Sequence, residues 1–377
     1  MKFSQINGNE SLKSRLKAMV DSGKLGHAFL FVEEEGMGAL PMALALAQYI
    51  NCKGEKDGDS CGVCSNCYKI EKLIHPDLHF SYPVNASPLL SEAEKKKPTS
   101  DMFLNEWREL CLSNPYFSEQ DLYSAFKIEG KQGNISVNEA KRIIDVLSLK
   151  PLEADNKVMI IFLAERMNSE AANKLLKLLE EPPAGTYFFL IAQQPSRLLT
   201  TIVSRCQLIR LQPESPRDLA AILSKEKGID ESDALNYARV AAGSYGRAIK
   251  LIEENESEKE YEQKVKELFE VCLNKNLVEV ISTADSLAEM GREQQKTFCR
   301  QAELLIRKLF MFANGAGDIS LAQQKEYDYL ETLASRIKPD FYEKGLKIFD
   351  SALVAIESNT NSKLLFLDIC NRLYMML

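Results

Sequence analysis

Up to Pro213 the chain alternates short, continuous apolar runs with longer segments whose apolar residues recur every three or four positions. Leu12, Leu16 and Val20 share one face of a helix predicted over 9–22. HAFLFV (27–32) is short and bounded, which predicts a buried strand. A helix follows to about Ile50, with Pro41 in its first turn, where a missing N–H is tolerated. HPDLHFSYPV predicts another strand. Residues 135–148 then predict a helix, KVMIIFLAE (157–165) a buried strand, and SEAANKLLKLLE (169–180) a helix stopped by Pro182 and Pro183. TYFFLIAQ (186–193) and LIRLQP (208–213) complete the strands. Strands apolar on both faces and separated by helices predict a parallel sheet with helices on both sides, the α/β class. Beyond Pro213 the strand pattern vanishes, and amphipathic helices broken by short polar turns run to Leu377.

One stretch interrupts this regularity. From about Asn85 to Asn134 the pattern loosens, and SEAEKKKPTS is charged and core-free, as a solvated loop would be. Within it, SDMFLNEWRELCL sets Phe103, Trp107, Leu110 and Cys111 at helical spacing after a capping Ser-Asp. The stretch reads as an insertion with its own helix, and the sole tryptophan as a packing residue.

Composition narrows the function classes. The chain has 377 residues, 45% hydrophobic and 27% charged, enough for two or three domains of an ordinary soluble protein. No run approaches the roughly 18 apolar residues of a membrane span, and the N-terminus lacks the apolar core of a signal peptide. No membrane association and a cytoplasmic location are therefore expected. A net charge of −7 supplies no global field for nucleic acid, so any DNA contact must be local or shared with partners.

The chemistry begins at FVEEEGMGAL. A strand, a glycine-punctuated turn and a helix make the frame of a phosphate-binding loop, whose backbone N–H groups cradle phosphates. The working loop adds a lysine and a Mg²⁺-binding hydroxyl; here Gly36 and Gly38 are followed by Ala39 and Leu40. The second strand has Phe162 and Leu163 where an acidic pair would hold metal and water, and Glu165 reads as an ordinary surface residue. A hydrogen bond to a charged group contributes about 1.5–3 kcal/mol, so losing two or three removes about 3–9 kcal/mol. Micromolar binding amounts to only about 8 kcal/mol. ATP is not expected to bind tightly, nor to be hydrolysed. On these residues alone, a bare strand–turn–helix corner is the better description.

Nine cysteines are unevenly spread, and Cys52, Cys61, Cys64 and Cys67 cluster as C-x₈-C-x₂-C-x₂-C. Four thiolates suit tetrahedral Zn²⁺, and with cysteine at every position no site is left open for water, which predicts a structural role. His75 and His79 lie nearby, but four cysteines already close the shell.

GKLGHAFLF, the four-cysteine loop, NSEAANKLLKLLEEPP and PSRLLTTIVSRCQ occur in this order, and together they resemble bacterial clamp-loader subunits, AAA+ proteins that place the sliding clamp on DNA for the replicative polymerase. The likeness covers about residues 5–255. GSYGRAIKL (243–251), with Arg247, is similar to a segment of the family's lid domain. The family's motor subunits carry the lysine, hydroxyl and acidic pair; their absence, with Gln193 at the end of a strand where a small polar residue senses the γ-phosphate, makes this chain similar to a member that does not hydrolyse ATP. The resemblance implies that Arg205, flanked by Ser204 and Cys206 in the SRC motif, reaches across a subunit interface toward ATP held by a neighbour. It also implies a hetero-oligomeric ring with gamma/tau-type ATPase and delta subunits. The sliding clamp and primer-template DNA would be met through the assembled complex.

The expected organisation is an AAA+ α/β domain over 1–212, with the cysteine module at 52–67 and the insertion at about 85–134. A helical lid over 213–255 and an all-α collar over 256–377 follow. Leu304, Leu305, Leu309, Phe310, Leu364, Leu365, Leu367 and Ile369 are expected mostly in the collar core. Two other functions compete: an active clamp-loader ATPase with unorthodox site residues, and a zinc-stabilised nucleic-acid adaptor.

Overall fold

The computed structural model describes residues 1–128, 130–317, 327–358 and 360–377. They divide into two compact units, Met1–Leu251 and Ile252–Leu377.

In the first unit, β1 (Ala28–Val32), β2 (Leu78–Ser81), β3 (Lys157–Ile161), β4 (Thr186–Ala192) and β5 (Gln207–Arg210) form a parallel sheet in the order β2-β3-β4-β1-β5. β1 pairs Phe29 with Phe189 of β4 on one side and with Gln207 of β5 on the other. Because successive side chains point to opposite faces, the apolar runs feed two cores. Phe29, Phe31, Ile160, Phe189 and Ile191 pack on one side, and Leu30, Met159, Ile161, Phe188 and Leu190 on the other. Each of these side chains is fully buried, contributing about 1.5–3 kcal/mol apiece.

α1 (Glu10–Asp21), α2 (Ala39–Asn51), α3 (Ser65–Glu71), α4 (Leu104–Ser113) and α5 (Glu119–Ala125) cover the first face. α6 (Val137–Ser148), α7 (Ser169–Glu180) and α8 (Thr200–Val203) cover the second. The starts of α6 and α7 are set by side-chain caps, Ser136 accepting the Glu139 N–H and Asn168 the Ala171 N–H. The expected α/β class, helices on both faces of a parallel sheet, is what the chain adopts.

One expected boundary needs correction. β3 stops at Ile161, four residues short of the predicted end, because Leu163 turns into the left-handed region (φ +52°) and starts a 3₁₀ turn over Ala164–Arg166. The insertion carries its own helix, α4, as expected. Its charged segment is largely exposed, but the rest builds core. Trp107 is fully buried and stacks on Tyr82 at 4.2 Å, and Phe103 stacks on Phe126 at 4.7 Å. α5, which the pattern did not predict, starts at a capping box between Ser118 and Asp121 and is anchored by the buried Leu122, with Tyr123 and Ala125 packing partly against the core.

After β5 come α9 (Pro216–Lys227), α10 (Glu231–Val240) and α11 (Tyr245–Leu273), and the boundary between the units falls within α11. The second unit continues with α12 (Leu277–Glu289), α13 (Arg292–Ala313), α14 (Tyr327–Arg336), α15 (Pro339–Glu357) and α16 (Ser362–Met376). Leu305, Leu309 and Ile369 are buried in its core, and Leu365 and Leu367 pack partly against it. Leu304, Phe310 and Leu364 are instead exposed. Adjacent helical residues point about 100° apart, so Leu304 and Leu305, or Leu309 and Phe310, cannot both face one core. Among the described residues no helix is long and apolar enough to cross a membrane.

Candidate functional site

The loop between β1 and α2 contains a residue the sequence reading passed over. Glu33 follows β1 directly, and its buried carboxylate accepts the Ala39 N–H at 2.8 Å and the Gly38 N–H as well. These amides open α2, where backbone donors have no helical partner and an anion is favoured. The loop's donors are thus turned onto an anion from the same chain. Burial pushes the Glu33 carboxyl up to about 7, against the two amide bonds that favour its charge, while Glu35 and Glu165 push it further up. The signal was present in the sequence: in a G-x-x-x-x-G frame ending at Gly38, the first glycine position is Glu33.

The two glycines are needed for packing. Gly36 has φ +81°, and its carbonyl accepts the Gly246 N–H at 2.9 Å. A Cβ there would lie 2.8 Å from Ser244 Oγ and 3.1 Å from Gly246 Cα. Gly38 has φ +95°, and a Cβ would lie 2.9 Å from the ring of Tyr116. Tyr116 comes from the insertion and packs against Tyr245 at 4.8 Å. The Arg247 guanidinium stands 3.9 Å from the Glu34 carboxylate, half-exposed. Gly36, Gly38, Ala39, Leu40 and Arg247 are therefore brought together, with Ala39 and Leu40 buried in the apolar core. Glu165 is not an ordinary surface residue: its carboxylate accepts the Gln193 N–H at 2.9 Å and the Gln194 N–H at 3.0 Å, tying the end of β4 to the turn after β3.

Arg205 lies elsewhere. It follows α8 and precedes β5, whereas the loop follows β1, and β1 and β5 are parallel neighbours with Phe29 opposite Gln207. The arginine and the loop therefore sit at opposite ends of adjacent strands, roughly 15–20 Å apart at about 3.3 Å per residue. The guanidinium donates from Nε to Glu180 Oε1 at 2.7 Å, from Nη2 to the same oxygen, and from Nη1 to the Thr201 carbonyl at 2.8 Å. It stays partly exposed. Of its flanking residues, Ser204 donates its hydroxyl to the Thr201 carbonyl at 3.2 Å, and burial pushes the Cys206 thiol up to about 12, so it packs as a neutral group.

The predicted cysteines converge. Cys52 ends α2, Cys64 caps α3 and Cys67 lies within it, and with Cys61 the four Sγ atoms lie within 4.8 Å of one another. Cys61 and Cys67 are 3.8 Å apart, the edge of a tetrahedron with bonds of about 2.3 Å to a central Zn²⁺. The Cys61 N–H points to Cys52 Sγ at 3.3 Å and the Cys64 N–H to Cys61 Sγ at 3.4 Å, contacts that suit thiolates. Gly62 makes the turn with φ +76°. His75 is outside the cluster; its Nδ1 accepts the Asp77 N–H at 3.1 Å. The four cysteines can hold a metal ion.

A protein family described as "DNA polymerase III, delta subunit" matches residues 8–215, more than half of the chain. This chain belongs to that family. The matched span contains the loop, the cysteine cluster and Arg205, and leaves out Arg247 and the second unit. Among individual relatives, "DNA polymerase III subunit delta'" of Bacillus subtilis (strain 168) is 30% identical over 254 residues, covering 67% of this chain and 61% of the relative. The subunit of the same name from Escherichia coli (strain K12) is 29% identical over 239 residues, 63% of this chain and 58% of the relative. "DNA polymerase III subunit tau" of Escherichia coli (strain K12) is 28% identical over 257 residues, 67% of this chain and 32% of that protein. The chain thus spans about three-fifths of the length of the delta' relatives it matches.

Proposed function

We propose that this chain is a delta-prime-type, non-hydrolysing stator subunit of a DNA polymerase III clamp loader, working in the bacterial cytoplasm. It stands in a hetero-oligomeric ring with gamma/tau-type ATPase and delta subunits, and meets the sliding clamp and primer-template DNA through that ring. Residues 1–212 act as the AAA+ domain, 213–255 as a lid and 256–377 as the collar that holds the subunits together. Arg205 serves a neighbour's ATP: a fixed cation beside the γ-phosphate stabilises the charge that builds up during transfer. Cys52, Cys61, Cys64 and Cys67 hold a structural Zn²⁺, which ties the end of α2 to α3.

The observation that carries this reading is the disposition of the two sites. The loop's amides are bound to Glu33, and the candidate finger lies at the other end of the sheet, where it cannot reach that loop. The active-ATPase alternative lacks a lysine, a hydroxyl and an acidic pair on this chain.

Co-purification with gamma/tau-type and delta subunits, followed by ATP turnover with wild-type and Arg205→Ala protein, tests the proposal. The variant is expected to enter the ring normally and to slow hydrolysis. An unchanged rate removes the finger role, and ATP turnover by the purified chain alone removes the stator role.

A further inference from the structure

We propose that Glu180 is the positioning residue for Arg205, holding the guanidinium so that two of its donors face out of the subunit. This rests on the trans-acting role of Arg205 proposed above. A guanidinium has five N–H donors. Three are engaged here, two by Glu180 and one by the Thr201 carbonyl. The remaining two belong to the terminal nitrogens, which suits bidentate bonding to phosphoryl oxygens.

Both partners stand on rigid supports. Glu180 is the last residue of α7, next to the fully buried Leu179, whose carbonyl lies 2.9 Å from His27 Nε2 at the foot of β1. Arg205 follows α8, which is anchored by the fully buried Ile202. A carboxylate at a helix C-terminus faces the negative end of the helix dipole, so α7 gains nothing from Glu180 there. The arginine does gain: a long side chain with several freely rotating bonds is confined to one orientation before the neighbour arrives.

The test uses the reconstituted ring with wild-type, Glu180→Ala, Glu180→Gln, Arg205→Ala and Glu180→Ala/Arg205→Ala chains. Its readouts are kcat and KM for ATP and ring formation by size-exclusion chromatography. Glu180→Ala is expected to lower kcat about 3- to 30-fold at the site served, the upper figure corresponding to release of the whole side chain's rotamer freedom. KM and ring formation should not move. Glu180→Gln keeps an acceptor oxygen and should recover most of the loss, and the double variant should be no slower than Arg205→Ala. If Arg205→Ala slows turnover but Glu180→Ala does not, or Glu180→Ala speeds it, positioning is overturned while the finger stands. An unaffected Arg205→Ala ring overturns both.

Discussion

The loop after β1 and the turn before β5 lie at opposite ends of neighbouring strands and handle their polar groups in opposite ways. In the loop the polar groups are spent inside the chain: the Ala39 and Gly38 amides donate to Glu33, and the Gly36 carbonyl accepts the Gly246 N–H. The glycines admit Ser244 and Tyr116 at distances where a Cβ would force a neighbour to shift. At the turn, Arg205 is fixed by Glu180 and Thr201 yet keeps two donors and partial exposure. One end of the sheet ties its loop into the chain's own packing, and the other leaves Arg205 partly exposed. Retaining a motif's glycines therefore says little about ligand binding, because the same freedom at positive φ serves close packing.

Four substitutions sharpen or break this contrast, the largest first. Arg205→Ala should slow ATP turnover in the reconstituted ring by up to about 10³–10⁵ at the site served, equivalent to about 4–7 kcal/mol. It should leave the melting temperature of the isolated chain nearly unchanged. Gly38→Val should do the reverse, since a branched side chain at φ +95° meets the Tyr116 ring. Left-handed strain and overpacking together should cost about 2–5 kcal/mol in urea unfolding. A variant as stable as wild type would show that the loop's shape is not set by packing.

Glu33→Gln tests the internal anion. Because the folded chain raises this carboxyl from an ordinary 4.5 to about 7, it holds the proton more tightly than the unfolded chain does. That contribution is full below about pH 4.5 and is lost as pH rises through about 7. The wild type should therefore lose up to roughly 3 kcal/mol relative to Glu33→Gln between pH 5 and pH 8. Parallel stability–pH curves would remove the buried-carboxylate account. Tyr116→Ala should have the smallest effect, about 1–2 kcal/mol for a half-buried ring, and should raise amide hydrogen exchange in residues 36–39 before it does so at residues 52–67. Uniform exchange across both segments would separate the insertion from the loop.

Local pattern accounts for most of the architecture. Five apolar runs became five strands, and Asn168 and the proline pair at 182–183 delimited α7, because strand burial and helix capping are set by residues within a few positions. The four-cysteine cluster was legible for the same reason, since C-x₂-C spacing brings thiols together within one turn. α4 and the packing role of Trp107 were legible, but α5 and the aromatic cluster around it were not. Phe103, Trp107, Phe117 and Phe126 sit on separate short elements and form one core only after each meets Tyr82, Phe162 or another of its aromatic neighbours. Glu33 was passed over and Glu165 looked like a surface acid because their partners are backbone amides, which carry no residue identity. The sequence by itself determined the elements, their class and the residues available for chemistry. Tertiary structure decided which of those groups are consumed internally and which remain available, because burial and hydrogen-bond satisfaction depend on segments far apart in the chain.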